Sequence, residues 1–524
     1  MFKRFIILFL FFCFALGLFA QQQNLPLNRE FGLVNDKVFN HHSSKVHTSV
    51  HLIIESHLNF GESRTLGLSI SEDEIYLINI KKSDKKPRNF GGWLKQSLFY
   101  QNFLVVDTGN FYLTIDPLLN GEVGADAEDT TKNKQSIYTN TRGLLVKGNI
   151  GAKFSFQTAV YETQSFFPNY ISNYVSETGV TPGQGRVKRF KQTGYDYAYS
   201  DAYISYTPVK FLNLQLGNGK HFIGDGYRSL LLSDVATNYP YLKATVLFGK
   251  DKFQFTKLHA SLTNLNRRPD GSVPESLFQR KSMSMHYLNW LATKWLNIGV
   301  FESTIWQTED TTGTLPFEYR QLNPVPFVNT LTTGFNEIDH SLVGLNVKIK
   351  LPFKTILYHQ LAYDGQQDET QVAIQGGFKF YGINNLTLQG EYNTVSPSTY
   401  TIQTDPLQNY SHYNQSLTHP LGNNFNELIG IANYRYKRFF IQAKMNLADH
   451  VISLEDPSDN YLKEYNAKLT ILQGHIGYII NPRTNLAVLV GATNRTENTA
   501  ISNDKTNYIY FTIRTSLRNL YYDF

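Results

Sequence analysis

A chain of 524 residues with a formal net charge of +6 is too weakly basic to argue for nucleic acid. Its single cysteine, Cys13, sits inside an N-terminal apolar run, so the chain beyond that run has no disulfides, thiolate metal sites or cysteine nucleophiles. Hydrophobic residues reach only 41%, yet 33 Tyr and 37 Phe raise aromatics to 14%, which leaves two classes: soluble all-β domains, or a transmembrane barrel whose lipid-facing residues alternate with polar lumen residues.

The chain opens with Lys3 and Arg4 before an unbroken apolar run from Phe5 to Ala20, after which Gln21, Gln22 and Gln23 turn it abruptly polar. That pattern predicts an export signal ending at Ala20, too short for the roughly 20 residues a spanning helix needs. Residues 21–108 read as a small periplasmic or plugging segment. Its histidines His41, His42, His47, His51 and His57 are the one metal-like feature. The β-branched setting "KVHTSVHLII" argues for a strand with 47, 51 and 57 on one side. No carboxylate or cysteine stands at ligand spacing, so the expectation is a polar surface with no metal and no cofactor. Further on, "GGWLKQSLFYQN" places Leu94, Leu98 and Gln101 on one helical face.

Residues 109–524 read as the barrel, with about 18 candidate strands from Phe111 to Asn519. Period-two alternation is clean at Phe439, Ile441, Ala443, Met445 and Leu447, opposite Gln442, Lys444 and Asn446. The same holds for Leu386, Leu388, Gly390 and Tyr392 and for Val343, Leu345, Val347 and Ile349. Short links such as "TPVK", "GKDK", "YKR" and "INPR" alternate with long ones, including 120–138, 166–194, 219–239, 306–336, 396–425 and 494–504. Strict alternation of link length predicts an all-β, transmembrane, antiparallel up-and-down barrel with short periplasmic turns, long loops at the cell surface and both termini periplasmic. The last residues, "LYYDF", read as an aromatic-ended final strand like the signal that outer-membrane barrels present to their assembly machinery.

Two loops carry candidate chemistry. In "GQGRVKRFKQ", Arg186, Lys188, Arg189 and Lys191 flank Phe190, a cationic and aromatic surface suited to an anionic sugar. In "GNGKHFIGDGYRSLLLSD", residues 217–234, His221, Ser229 or Ser233, and Asp225 or Asp234 have the residue types of a triad. All lie on one loop, however, whereas a triad converges from separate elements, so no catalytic residue is expected. The order is also wrong for a phosphate loop. Gly217, Gly219, Gly224 and Gly226 read as positions of positive φ or close packing, Arg228 as paired with Asp225 and Asp234, and "SLLLS" as tucking the loop against the wall.

The run "LGNGKHFIGDGYRSLLLSDVATNYPYLK", with "TRGLLV", "DYAYSDAYISY" and the C-terminal "YYDF", resembles the RemB and Wzi family of outer-membrane barrels, known from capsule assembly and gliding motility. Ile223-Gly224-Asp225 stands where capsule-type members have Trp-Gly-Pro, which favours the motility branch. The resemblance implies a barrel of about 18 strands, in keeping with the strand count above, whose outer loops engage surface polysaccharide or capsule. Its partners would be outer-membrane lipid, surface exopolysaccharide, and secreted adhesins or motility machinery, with no nucleic acid. A transport porin is the alternative and predicts an open, conducting lumen, whereas a plugging N-terminal segment and an inward-folded 217–240 loop predict a closed one. An outer-membrane hydrolase needs a Ser and a His on neighbouring strands near the aromatic girdle, and no such pair stands out.

Overall fold

The computed structural model describes residues 23–41, 44–51, 53, 89–129, 137–267, 278–310, 313–315, 318–328, 330, 339–365, 371–402, 406–455, 461–515 and 518–524. The export signal, His42 and His57 fall outside them. Eighteen strands form the wall. They are β1 (Phe111–Asp126), β2 (Ile137–Ile150), β3 (Phe154–Phe166), β4 (Gly194–Val209), β5 (Leu212–Gly219), β6 (Tyr239–Phe248), β7 (Phe253–Arg267), β8 (Phe278–Leu291) and β9 (Leu296–Gln307). The circuit continues with β10 (His340–Leu351), β11 (Thr355–Asp364), β12 (Gln371–Phe380), β13 (Leu386–Val395), β14 (Phe425–Tyr436), β15 (Phe439–Glu455), β16 (Leu462–Asn481), β17 (Leu486–Asn498) and β18 (Asn503–Thr515). Each pairs antiparallel with the next, and β18 returns to β1 from Asn120↔Arg514 to Asp126↔Tyr508. The sheet closes on itself and leaves no free edge.

Which face is oily decides the environment. On β15, Ile441 and Met445 are 43% and 37% exposed while Asn446 is 1% exposed. On β10, Asn346, Lys348 and Lys350 are buried inside. Apolar side chains therefore point outward and polar ones inward, the reverse of a soluble sandwich and the arrangement of a membrane barrel. Among the described residues no helix is long and apolar enough to cross a membrane.

Two expected loops are in part strand. β1 runs on to Asp126, and the β17–β18 link shrinks to residues 499–502. The polar residues there hold each other across the ladder: Tyr508 and Thr512 donate to Glu122, each at 3.0 Å, and Arg495 pairs with Asp504 at 3.0 Å.

The aromatic-ended final strand is not formed. β18 stops at Thr515, and residues 518–524 leave the wall and run through the lumen. Polar partners draw them there: Asn519 donates to the Leu27 carbonyl and to Asp234, each at 2.8 Å, and Arg518 donates to Gln184 at 2.8 Å.

Three α-helices stand outside the wall among the described residues. α1 (Arg29–Phe39), capped by Asn28 accepting from the Phe31 N–H at 2.8 Å, lies in the lumen, where Asp36 meets Lys379 at 3.1 Å and the Tyr381 hydroxyl at 2.7 Å. α2 (Phe90–Phe99) is tied to the short-turn rim, and α3 (Asn169–Thr178) lies in the long β3–β4 link. The largest apolar core is also inside the barrel, where Leu230, Leu231 and Leu232 pack with Ile223, Met285 and Phe301. The apolar run of the 217–234 stretch thus packs against the wall from within.

One long link turns the other way. On β8 the alternation inverts: Met283, Met285 and Tyr287 face the core, while Ser284 and His286 share the outward face with the exposed Trp290. Lys257 of β7 and Glu302 of β9 flank His286 on that outward face. All four polar residues are nonetheless buried, because residues 318–328 and 330 fold back over them as a strap. Lys257 donates to the carbonyls of Gln321 and Asn323 at 3.1 Å, and Glu302 accepts the Phe327 N–H at 2.7 Å and the Thr330 hydroxyl at 2.5 Å.

Candidate functional site: an interlocked lumen

Three distant segments meet inside the barrel: residues 23–41 with 44–51, the β5–β6 loop at 220–238, and residues 518–524. Backbone pairing joins the first two, with Val50 bridged to Ile223, the His51 N–H donating to the Phe222 carbonyl at 2.9 Å and the Gly224 N–H to the Ser49 carbonyl at 2.7 Å. Gly224 turns there with φ of 143°, a region L side chains avoid, and a Cβ on it would sit 2.4 Å from Gln360 Nε2. At Gly226 a Cβ would lie 2.6 Å from Glu391 Oε2. That room lets Glu391 reach in and accept the N–H groups of Tyr227 at 2.6 Å and Arg228 at 2.9 Å.

Asp225 is a buried anchor. Thr48, Ser49 and Lys348 donate to its carboxylate at 2.5, 2.8 and 2.9 Å. Burial pushes the Asp225 carboxyl up, but the Lys348 ammonium and the two hydroxyls outweigh it and hold the group well below the usual carboxylate range. Arg228 is fully buried and forks between Glu427 at 2.9 Å and Asp523 at 3.2 Å, with a further donation to the Asp523 carbonyl at 2.8 Å. Lys444 reaches Asp523 at 2.7 Å, and the His419 ring meets Glu427 at 2.7 Å.

The latch expected within the loop is therefore corrected: Arg228 pairs with neither Asp225 nor Asp234. A guanidinium fork needs two carboxylates set to face it, and β14 and the C-terminal tail supply them. Asp234 instead accepts from the Tyr521 hydroxyl at 2.6 Å and from Asn519 at 2.8 Å.

The triad-like residues do not converge. His221 lies within 3.3 Å of the Tyr239 hydroxyl and edge-on to Tyr241 at 4.5 Å, and burial holds its ring well below the usual imidazole range. The Ser229 hydroxyl donates to the Ile223 carbonyl and accepts the N–H groups of Leu231 and Leu232 at 3.2 and 3.3 Å, which fixes the turn. Ser233 is held through its backbone by Leu417 at 2.7 Å. Gly217 and Gly219 lie in the last residues of β5 without positive φ.

Two of the histidines read as a polar surface, His47 and His51, make interior contacts. His47 lies 2.9 Å from the Asp251 carbonyl and 2.7 Å from Asn289, and His51 is 3.1 Å from the Gly224 carbonyl. Among the described residues no His, Cys, Asp or Glu group gathers to hold a metal.

At the long-loop end, Lys188–Phe190 adds a short strand to the edge of β4. Arg186 stacks on Phe278 at 4.5 Å, Arg189 on Tyr195 at 4.9 Å, and Lys191 on Phe190 at 5.3 Å. Arg186, Lys188, Arg189 and Lys191 are exposed, and of the four only Lys191 lies over Phe190.

Sequence reasoning missed the outer-wall cluster. Lys257 Nζ lies 2.7 Å from the Ser284 hydroxyl and 2.6 Å from His286 Nε2, and His286 Nδ1 lies 2.9 Å from Glu302. A Ser and a His are thus neighbours on the outward face, but the strap covers them and takes up the ammonium. The signal was the inverted alternation of "KSMSMHY".

No family model and no curated protein matches the chain. Among solved structures it is similar to Wzi, an outer-membrane protein involved in group 1 capsule assembly in Escherichia coli and a carbohydrate-binding β-barrel. The TM-score is 0.55 at 11% identity, over 95% of this chain and 100% of that one. OccAB2 of Acinetobacter baumannii and OpdO of Pseudomonas aeruginosa each align over 77% of this chain at 12% identity and TM-score 0.43, covering 97% and 96% of their own lengths. At these identities the likeness to Wzi is one of fold: a closed, antiparallel, outer-membrane-type barrel.

Proposed function

We propose that this chain is a non-enzymatic outer-membrane barrel of the RemB and Wzi type that supports gliding motility or adhesion by holding exopolysaccharide, capsule or surface adhesins at the cell surface. The long links face outward and the short turns face the periplasm, whereas the C-terminal tail, expected on the periplasmic side, ends inside the barrel toward the long links, where Phe524 packs on Tyr170 and Tyr174 of α3. The observation that carries this reading is the interlocked lumen. Arg228, Glu427, Asp523 and Lys444 join a loop, two wall strands and the tail through buried charges, and removing one partner of such a pair costs about 3–5 kcal/mol. A core latched this firmly suits a scaffold better than a channel. The ring of cations over aromatic faces at Arg186–Lys191 suits an anionic polysaccharide at the mouth.

Two measurements test it together. Purified barrel in planar bilayers is expected to give no steady conductance, and a deletion strain is expected to lose surface polysaccharide or spreading. Stable open-channel current with normal retention and normal spreading would establish the porin reading instead. Replacing Lys188, Arg189 and Lys191 with Ala is expected to weaken retention several-fold at low salt while the barrel still folds.

A further inference from the structure

The short-turn end of the barrel wears an aromatic girdle. Phe211, Phe248, Trp290, Trp295, Phe353 and Phe439 are all exposed there, in or beside the turns. Such a belt marks the level at which a barrel leaves the hydrocarbon and enters the headgroups.

α2 is fastened at that same level. Asn481 donates to the carbonyls of Ser97 and Gln101 at 2.9 Å, and Arg438 donates to the Phe99 carbonyl at 3.3 Å while lying over the Tyr100 ring at 5.3 Å. Both anchors come from the turns that close β14–β15 and β16–β17. The chain leaving the helix then joins the wall itself, because Leu104–Asp107 pairs with β1 and Leu104 sits opposite Ile115.

Between those ties the helix presents an oily surface. Phe90 is 74% exposed, and Leu94, Leu98 and Phe99 are exposed with it. Trp93 bridges Phe90 and Phe103 at 5.5 and 5.1 Å, which gathers the rings into one patch. Ser97, on the docked side, is buried. An apolar patch of this kind, continuous with the lipid-facing wall and level with its girdle, has the bilayer as its natural neighbour.

We infer that α2 is an interfacial helix whose apolar face enters the headgroup and acyl boundary of the leaflet at the short-turn end of the barrel. It widens the girdle and anchors the chain to lipid just before β1. The inference is independent of any polysaccharide.

The test uses the full chain in a Cys13→Ser background, with a nitroxide attached at Leu94→Cys or at Phe90→Cys and the barrel reconstituted in phosphatidylethanolamine–phosphatidylglycerol vesicles. Retention of the heat-modifiable barrel band establishes folding for each variant. Labels at Leu447→Cys on the lipid face and at Thr499→Cys in the opposite turn give the two references. At both helix positions, oxygen accessibility is expected to exceed that of a water-soluble nickel chelate several-fold, as at 447. Chelate accessibility matching position 499 would place the face in water, and shielding from both reagents would place it against protein. Either result overturns the inference.

Discussion

Arg228 shows how far a residue's meaning lies from its neighbours in sequence. Arg228→Met leaves Glu427 and Asp523 buried without their fork and is expected to cost about 3–5 kcal/mol, read as a lower unfolding midpoint of the folded barrel. Arg228→Lys should recover only part of it, because one ammonium cannot serve both acids with the same geometry. His221→Ala is expected to cost on the order of 1–3 kcal/mol, since it empties a buried site between Tyr239 and Tyr241. An unchanged midpoint in that variant would return His221 to the role of a passive loop residue. The stretch around Gly224, Asp225 and Arg228 could be singled out from sequence because its residue types are costly to bury. Its partners could not, because Lys348, Glu427 and Asp523 lie on β10, on β14 and in the tail, where local spacing has no reach.

At the scale of elements, the segment carrying His47 and His51 is held by neutral rings. Burial pushes both histidines down to about 4, with Lys348, Lys350 and Asp251 facing His47 and with Asp225, Lys379 and Arg29 facing His51. Once released, each ring would take up a proton near its ordinary value of about 6.5. The folded value is the lower one, so this stabilisation is fully present above about 6.5 and is lost as pH falls toward 4. Asp225, also depressed, adds a second loss at still lower pH by the same sign. The protection factors of residues 44–51, corrected for the intrinsic pH dependence of exchange, are therefore expected to fall from pH 7.5 to 4.5, and to do so less in a His47→Gln, His51→Gln double variant. Equal protection at the two pH values would dismiss the histidines as sensors. The strands were legible because a wall with lipid on one side and polar lumen on the other writes period two into the chain. Where the wall has a further layer outside it, as at Ser284 and His286, the alternation inverts and a polar outward face no longer means water.

For the whole molecule, strand number, closure and the two classes of link followed from alternation and spacing. The path of the tail did not. "YYDF" has the composition of a girdle strand, and only the carboxylates and amides it meets in the lumen turn it inward. The strap over β7–β9 carries one more expectation. Lys257→Met removes the donor that holds the Gln321 and Asn323 carbonyls, so residues 318–328 and 330 should become open to protease while the barrel itself stays folded. A strap as resistant as before would mean that Ser284, His286 and Glu302 keep it down without Lys257. Seen along the membrane normal, such a strap gives the cylinder a rib on one side. A ribbed cylinder cannot pack equally with neighbours all the way round, so in a crowded membrane this barrel has a preferred side. The lipids or proteins beside β7–β9 meet the strap's own surface, with Tyr319 and Val325 exposed on it, in place of the smooth wall met elsewhere.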